Sequence, residues 1–342
     1  MKVPLFLAYA HGYGELPLSE FIGAMEAEGA PVELDSPIQG ALRFRSERDL
    51  ASHAASRLSL SRFLCEELHH SSGNPKELKS EIRRGINLPE LGSFKVVVKR
   101  MGAAIPPEEV EALAREIGGE LAEASGANVD VKTPKTVIVL LVARDGYVLG
   151  SRLVETSRRS SRRRRNELKP FSHHSALQPE FCRVLVNLAR VRPRDLMLDP
   201  FCGTGGVLIE ACDLGATSLG LDFSPKMVRG ARSNLLHFGY QGSHLAVGDV
   251  KRCPFTVADS IATDPPYGKL SPMVKGRSVR ETYQDLLDLS RNVLPNGGHL
   301  SLVCPSDEPA DELIRDAGFT LISKDEIRVH GSLTRSFLAA RR

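Results

Sequence analysis

From Pro179 to the C terminus, strand and helix patterns alternate strictly along the chain. Short runs at 195–198, 218–221, 244–248 and 261–263 predict strands, and the longer segments between them predict helices. Strands that are connected through helices lie parallel to one another. The alternation therefore predicts an α/β fold with a mostly parallel sheet, completed by a pair of closing strands at the C terminus.

Four successive predicted strands of this half end in an acid. The acids are Asp199, Asp222, Asp249 and Asp264. In an open parallel sheet, ligands bind beyond the carboxyl ends of the strands. One acid at a strand end is unremarkable, whereas four in order predict a single binding site.

The first of these strands leads into a glycine-rich turn that includes Gly203 and Gly205. Glycines let a bulky ligand approach the backbone closely. Dinucleotide-binding proteins use a similar turn, but they direct a helix N-terminus at a pyrophosphate, which Asp199 would repel. A ligand that carries an ammonium and a sulfonium suits this acid better, and S-adenosylmethionine carries both.

The next two acids suit the rest of that ligand. Asp222 lies 23 positions after Asp199, where a carboxylate would bind ribose hydroxyls. Asp249 is then placed to accept a hydrogen bond from the adenine amino group.

The fourth acid begins the stretch Asp264-Pro265-Pro266-Tyr267-Gly268. Two prolines exclude helix and strand hydrogen bonding, so the chain turns sharply and the carbonyl of Pro265 is free. That carbonyl and the Asp264 carboxylate form an acceptor cluster for an amino group, and Tyr267 offers a ring on which a base can stack. Taken alone, the stretch also fits an ordinary turn at a strand end.

The first half of the chain reads as two α+β units. The boundaries are expected at residues 1–57 and 58–153, and an arginine-rich linker follows at 154–175. Six arginines between 158 and 165 leave no apolar face, which predicts an exposed, mobile connector with affinity for phosphate. The basic residues between 74 and 87 fit either a solvated face or an RNA-facing surface.

Composition excludes several classes of protein. A chain of 342 residues with 42% hydrophobic and 25% charged residues is typical of a globular protein of two or three domains. No apolar run approaches the roughly 18 residues that span a membrane, and the N terminus lacks a signal-peptide pattern. The six cysteines form no CxxC pair. We therefore expect a cytoplasmic protein without a metal site and without membrane attachment.

The motifs together resemble a known family. MLDPFCGTGGVLIEA, GLDFSPKMVRGARSNL and ATDPPYG are similar to segments of the archaeal and eukaryotic tRNA guanine-N2 methyltransferases that modify position ten. KPFSHH at 169–174 resembles that family's RPFFHP motif, with His174 in place of the proline. The resemblance implies a Rossmann-fold class I methyltransferase domain at 176–342, preceded by a ferredoxin-like domain and a THUMP domain.

The same resemblance implies roles for individual residues. Asp199, Gly203 and Gly205 would hold the methionine part of S-adenosylmethionine, Asp222 the ribose and Asp249 the adenine. The full cofactor-binding set would be Asp199, Pro200, Gly203, Gly205, Asp222, Phe223, Asp249, Val250 and Asp264. The guanine would be received by Asp264, Pro265, Pro266 and Tyr267, which form the predicted catalytic set.

The implied function is transfer of one or two methyl groups to N2 of a guanine in tRNA. The THUMP domain would hold the acceptor stem and 3′ end of the tRNA, and the enzyme would be a monomer. Alternatives are guanine at another tRNA position or in ribosomal RNA, an amino group of a DNA base or a glutamine side chain, and a silent RNA-binding protein. A nicotinamide oxidoreductase is disfavoured by Asp199.

Overall fold

The structure is a computed structural model that describes residues 2–9, 12–102, 104–156, 163–267, 277–330 and 333–342. The chain divides into two compact units. The first consists of Met1–His11, Gly29–Ser56 and Ser61–Thr156. The second consists of Gly12–Glu28, Arg57–Leu60 and Ser157–Arg342.

The first unit is built on one eight-stranded sheet in the order β2-β3-β1-β4-β8-β7-β5-β6. β5 pairs in parallel with β6 and β7, and the other pairs are antiparallel. Its strands are β1 Lys2–Tyr9, β2 Glu33–Leu34, β3 Ala41–Glu47, β4 Ser61–Ser71, β5 Ser93–Arg100, β6 Asn128–Val129, β7 Thr136–Ala143 and β8 Gly146–Glu155. β7 and β8 form an antiparallel hairpin in which Ala143 pairs with Gly146.

The helices of this unit are α2 Arg48–Ser56, α3 Leu78–Gly85 and α4 Glu109–Ser125, with a short 3-10 helix at Pro75–Glu77. The apolar faces of α3 and α4 share one core with β7 and β8. Basic side chains of 74–87 pair with glutamates of α4: Lys76 with Glu109, Lys79 with Glu116 and Arg83 with Glu120. These pairs favour the solvated-face interpretation of that segment.

The second unit contains a seven-stranded sheet in the order β11-β10-β9-β12-β13-β15-β14. Its strands are β9 Leu196–Asp199, β10 Thr217–Asp222, β11 His244–Val247, β12 Ser260–Thr263, β13 His299–Pro305, β14 Thr320–His330 and β15 Leu333–Arg341. The five strands from β9 to β13 pair in parallel, which confirms the predicted mostly parallel sheet. Their carboxyl ends therefore lie at one edge.

The two closing strands form an antiparallel pair, and β15 pairs antiparallel with β13. Because β15 runs against β13, its first residues lie beside the last residues of β13, and Arg335 is opposite Pro305. The start of β15 thus reaches the same edge as the ends of the parallel strands.

Helices cover this sheet, as the alternation predicts. They are α5 Pro179–Leu188, α6 Gly206–Asp213, α7 Pro225–His237, α8 Val279–Val293 and α9 Ala310–Asp316, with short 3-10 helices at Asn166–Leu168 and Val250–Arg252. Two clusters of buried side chains form the core of the unit.

A further helix of the second unit comes from the start of the chain. Helix α1, Leu16–Ala27, packs against α5. Its buried Glu20 accepts hydrogen bonds from the backbone N–H of Ser59 and Leu60 at 2.8 and 3.0 Å, and from Asn187 Nδ2 at 2.9 Å. Burial raises the pKa of this carboxyl, and the donors oppose the shift.

This arrangement bears on the domain organisation. The first eight strands share one sheet, so the expected domain boundary between residues 57 and 58 separates strands of the same sheet. Residues 12–28 and 57–60 belong to the second unit. The grouping of these N-terminal residues with the second unit depends on contacts between residues distant in sequence. A local pattern of strands and helices carries no information on such contacts. The ferredoxin-like and THUMP assignments stay predictions.

The described residues contain no helix that is long and apolar enough to cross a bilayer. In the same ranges, no group of three or more His, Cys, Asp or Glu side chains is arranged to hold a metal ion.

The contact between α1 and α5 yields a test. A Cβ at Gly23 would lie 2.4 Å from the Asn187 carbonyl oxygen. We expect Gly23→Ala to lower the free energy of unfolding by about 1–3 kcal/mol through overpacking, although alanine is the better helix former. Chemical denaturation of the full chain measures this.

The matched control is Gly119→Ala in α4, where a Cβ would meet nothing within 4 Å. This change should raise the stability by up to about 1 kcal/mol. Equal effects of the two substitutions would contradict the described packing of α1.

Candidate active site

A cleft of about 390 Å³ lies at the carboxyl edge of the parallel strands. The predicted site residues line this cleft, with the exception of Gly205: Asp199, Pro200, Gly203, Asp222, Phe223, Asp249, Val250, Asp264, Pro265, Pro266 and Tyr267. The expectation that four strand-end acids meet in one place is therefore met by the geometry.

Asp199 lies at the centre of the sheet and is 2% exposed. Its Oδ1 accepts hydrogen bonds from Thr263 Oγ1 at 2.6 Å and from the Phe201 backbone N–H at 3.1 Å. The first of these bonds joins the ends of β9 and β12. Burial raises the pKa of Asp199 to about 7, and the nearby carboxyls of Asp264 and Asp222 add to the shift.

The glycine-rich turn has the backbone shape that its sequence requires. Gly203 and Gly205 have φ angles of 50° and 80°, a left-handed conformation that favours glycine. Gly205 is the residue before α6, and its carbonyl accepts from Ile209 N at 3.0 Å. Gly205 thus shapes the turn without lining the cleft, while Gly203 faces it.

Asp222 is tied to that turn. Its carboxylate accepts from the backbone N–H of Gly203 at 2.9 Å and of Ser224 at 2.8 Å. Burial raises the pKa of Asp222. The next residue, Phe223, is 58% exposed, so a large apolar ring is accessible to solvent beside the Asp222 carboxylate. A nucleoside, with its hydroxyls and its flat base, has the matching chemistry.

Asp249 is held by a residue that sequence reasoning missed. Arg277 Nη1 and Nη2 donate to Asp249 Oδ1 and Oδ2, both at 3.0 Å. Burial opposes ionisation of Asp249, but the Arg277 hydrogen bonds outweigh it and lower the pKa. Arg277 lies 28 positions along the chain from Asp249, with no local pattern that relates the two.

Asp264 follows β12 directly and has an oxygen atom without a partner. Its Oδ1 is buried and accepts no hydrogen bond from the residues that the structure describes. Burial raises the pKa of Asp264 to about 7, while the charge of Arg335 and a hydrogen bond from Tyr267 act in the opposite direction. A buried acceptor of this kind is costly unless a ligand satisfies it.

The segment at 169–174 is fixed to the cleft through Asn234 of α7. Asn234 Nδ2 donates to the carbonyls of Phe171 at 2.7 Å and Thr204 at 2.9 Å, and its Oδ1 accepts from Phe171 N at 2.9 Å. One buried amide therefore joins this segment to the glycine-rich turn. His173 and His174 line the cleft beside it.

One expectation about the arginine run is wrong. Arg164 is 6% exposed, and its guanidinium donates to Glu210 at 2.7 and 2.9 Å and to Asp213 at 3.0 Å. The fully buried Arg183 contacts the same two acids. Arg164 thus anchors the chain to α6, because two acids on that helix lie beneath it.

The other arginines of the run divide into two groups. Arg163 and Arg165 are exposed, as predicted. Arg158, Arg159 and Arg162 lie outside the described residues.

The fold and the cleft define the class of protein. A parallel sheet with an antiparallel β15 inserted between β13 and β14, a glycine-rich turn after β9 and an acid after each neighbouring strand are the features of a Rossmann-like methyltransferase that uses S-adenosylmethionine.

Comparison with known proteins agrees with this class. Residues 166–336 match the family described as RMKL-like, methyltransferase domain. The chain is 29% identical over 337 residues to the tRNA (guanine(10)-N2)-dimethyltransferase of Methanothermobacter thermautotrophicus, covering 98% of each chain. It is 33% identical over 261 residues to the enzyme of the same name from Pyrococcus abyssi, covering 75% of this chain and 77% of that one.

A solved structure is similar over the whole length. The crystal structure of TrmN from Thermus thermophilus superposes with a TM-score of 0.53 and 24% identity, covering 99% of this chain and 100% of that chain, which supports the fold. The chain belongs to the family of tRNA (guanine(10)-N2)-dimethyltransferases.

The role of Asn234 can be tested by removing its amide. We expect Asn234→Ala to weaken S-adenosylmethionine binding about tenfold, because the loss of three buried hydrogen bonds frees the turn that borders the cleft. Calorimetric titration measures the affinity. Ser233→Ala, at an exposed position of the same helix, should bind as wild type does. Unchanged affinity in Asn234→Ala would contradict this link.

Proposed function

We propose that the protein transfers methyl groups from S-adenosylmethionine to the exocyclic N2 amine of the guanine at position ten of tRNA. The observation that carries the choice of an amine as acceptor is the buried Oδ1 of Asp264, which has no hydrogen-bond partner among the described residues and lies in the cleft. The names of the relatives from Methanothermobacter and Pyrococcus specify the same nucleotide and the addition of two methyl groups.

The described residues fit the cofactor. S-adenosylmethionine, when bound, supplies a methyl group activated by a sulfonium charge. Asp199 and the backbone at Pro200 and Gly203 would hold its methionine part, with Gly205 shaping the turn. Asp222 would bind the ribose, Phe223 would pack on the base, and Asp249 with Val250 would border the adenine. Asp249 would do so as a carboxylate already held by Arg277.

The acceptor amine would be held by Asp264 and the carbonyl of Pro265. The exocyclic amine of guanine is a poor nucleophile, because its lone pair is delocalised into the ring. The nitrogen would gain positive charge as it takes the methyl group from the sulfonium, whose carbon–sulfur bond breaks to leave a neutral thioether, and the fixed Asp264 carboxylate would stabilise that charge. Asp264 then takes the proton that the nitrogen must lose.

The pKa of Asp264 suits this role. A pKa raised to about 7 makes the carboxylate a stronger proton acceptor than an exposed aspartate, while much of it is ionised at neutral pH. Tyr267 would stack on the guanine once it has left the RNA stack, which offsets part of the cost of extrusion.

A second candidate is guanine at a different position. The tRNA (guanine(6)-N2)-methyltransferase of Thermus thermophilus is 32% identical over 224 residues, covering 63% of this chain and 64% of that one. Both reactions would use the same cleft and would differ in how the tRNA is held.

We propose further that residues 58–153 hold the acceptor stem and 3′ end of the tRNA, and that the enzyme acts as a monomer in the cytoplasm. The resemblance of the first half to THUMP-containing methyltransferases supports the first point. The exposed Arg163 and Arg165 supply additional positive charge for phosphate contacts.

Nucleoside mapping tests the proposed function. Unmodified tRNA transcripts incubated with enzyme and S-adenosylmethionine should contain N2-methylated guanosine at position ten, as read by mass spectrometry of nuclease fragments. A transcript with adenosine at position ten should stay unmodified. Methylation at position six would support the second candidate, and modification of a base other than guanine would refute both.

The assignment of Asp264 is tested by separating chemistry from cofactor binding. Asp264→Ala and Asp264→Asn should both slow single-turnover methyl transfer by a factor of about 100 or more, since neither side chain can take the proton. Their affinity for S-adenosylmethionine should stay close to that of wild type.

Asp222→Ala is the control with the opposite profile. It should weaken cofactor binding and retain substantial turnover at saturating cofactor. Transfer by Asp264→Asn at the rate of wild type would show that this carboxylate has a structural role.

A further inference from the structure

Arg335 is a second residue of the cleft with an unsatisfied polar atom. Its Nε is buried and makes no hydrogen bond to the residues that the structure describes. Its guanidinium carbon lies 5.7 Å from the centre of the Tyr267 ring. Arg335 reaches this place because β15 runs antiparallel to β13 and begins at the carboxyl edge of the sheet. No sequence motif singles it out.

The other cationic and basic side chains lining the described cleft are placed differently. Arg277 is paired with Asp249 at 3.0 Å and with Asp285 at 3.4 Å. Burial lowers the pKa of His173, and the neighbouring His174 and Lys226 lower it further. Among the described residues, Arg335 is thus the strong cation of the cleft that has no carboxylate hydrogen-bonded to it.

Asp264 and Arg335 are complementary. Among the described residues, Asp264 contributes a buried oxygen that has no donor, and Arg335 contributes a buried N–H that has no acceptor. Among the described residues, the groups that interact electrostatically with Asp264 include Asp199, Tyr267, Tyr283, Cys182, Cys304 and Arg335. Burial raises the pKa of both tyrosines and both cysteines, which keeps them neutral near pH 7. Asp199 is an acid, so Arg335 is the positive member of this set.

We propose that Arg335 is a positioning residue that keeps Asp264 in its carboxylate form and holds the Tyr267 ring beside it. This inference rests on the proposed function, in which Asp264 accepts the proton of the acceptor amine. Burial among neutral groups, with Asp199 close by, favours the protonated acid. A protonated Asp264 can neither stabilise the developing positive charge nor take the proton. The cation of Arg335 opposes that protonation, and its place over the ring favours one orientation of Tyr267.

The pH dependence of single-turnover methyl transfer tests this role. The sign follows from the charge: without the Arg335 cation, the carboxyl of Asp264 holds its proton to higher pH. In Arg335→Gln the acid limb of the profile should move to higher pH by about one unit. A nearby opposite charge shifts the pKa of an aspartate by about one to three units, and one unit is the smallest of these shifts. The rate at pH 7 should fall about fivefold, because a pKa moved from about 7 to about 8 leaves about a tenth of the carboxyl ionised, and much of the rate should return at higher pH. Arg335→Lys should restore a profile close to that of wild type.

Arg341→Gln is the matched control, because it removes the same charge from an exposed position at the other end of β15. Its profile should coincide with that of wild type. A uniform loss of rate in Arg335→Gln without displacement of the limb would overturn the proposal. So would weaker binding of RNA as its sole defect, since that result would assign Arg335 to the base or the phosphate.

A second measurement needs no turnover. The carboxyl carbon signal of Asp264, assigned by its absence in Asp264→Asn, should titrate at higher pH in Arg335→Gln than in wild type. Unchanged titration would refute the role of Arg335 whether or not guanine is the acceptor. Failure of the proposed function, by contrast, would show in wild type as methylation of another base or of none.

Discussion

The structure of the C-terminal unit depends on the burial of several carboxylates at one edge of a parallel sheet. The strands β9, β10, β11 and β12 end at this edge, so the acids that follow or end them lie close together. Burial raises the pKa of Asp199 and of Asp264 to about 7, and the neighbouring carboxyls add to the shift at Asp199. Hydrogen-bond donors offset much of the free-energy cost of burying these acids. Backbone N–H groups donate to Asp199 and Asp222, Thr263 donates to Asp199, and Arg277 donates to Asp249.

Asp264 differs from the other three acids because its Oδ1 has no donor among the described residues. The site is thus divided by hydrogen bonding. In the proposed function, the three acids with donors would bind the nucleoside part of the cofactor, and Asp264 would accept from the amino group of the acceptor base. This division is what the proposed methyl transfer needs, since cofactor and acceptor must be held by separate groups on either side of the bond that forms.

The same unit extends beyond the part of the chain that carries its motifs. Helix α1 packs on α5 through buried polar contacts, with Glu20 as the acceptor for Ser59, Leu60 and Asn187. Arg57 adds hydrogen bonds to Asn187 Oδ1 at 2.8 Å and to the Val191 carbonyl at 2.6 Å. These donors and acceptors are specific to one arrangement, and they make two N-terminal segments part of the methyltransferase unit.

The sequence by itself determined the α/β class of the second half, the mostly parallel direction of its strands and, apart from Gly205, the predicted site residues from Asp199 to Tyr267 that line the cleft. Strand–helix alternation and acids at strand ends are local patterns, and parallel connection carries them to one edge. Only the tertiary structure decided the places of Arg335, Arg277, Asn234 and α1, and it reversed the expected exposure of Arg164. Each of these depends on a partner distant in sequence, and no periodicity or spacing records which buried group will lie beside it.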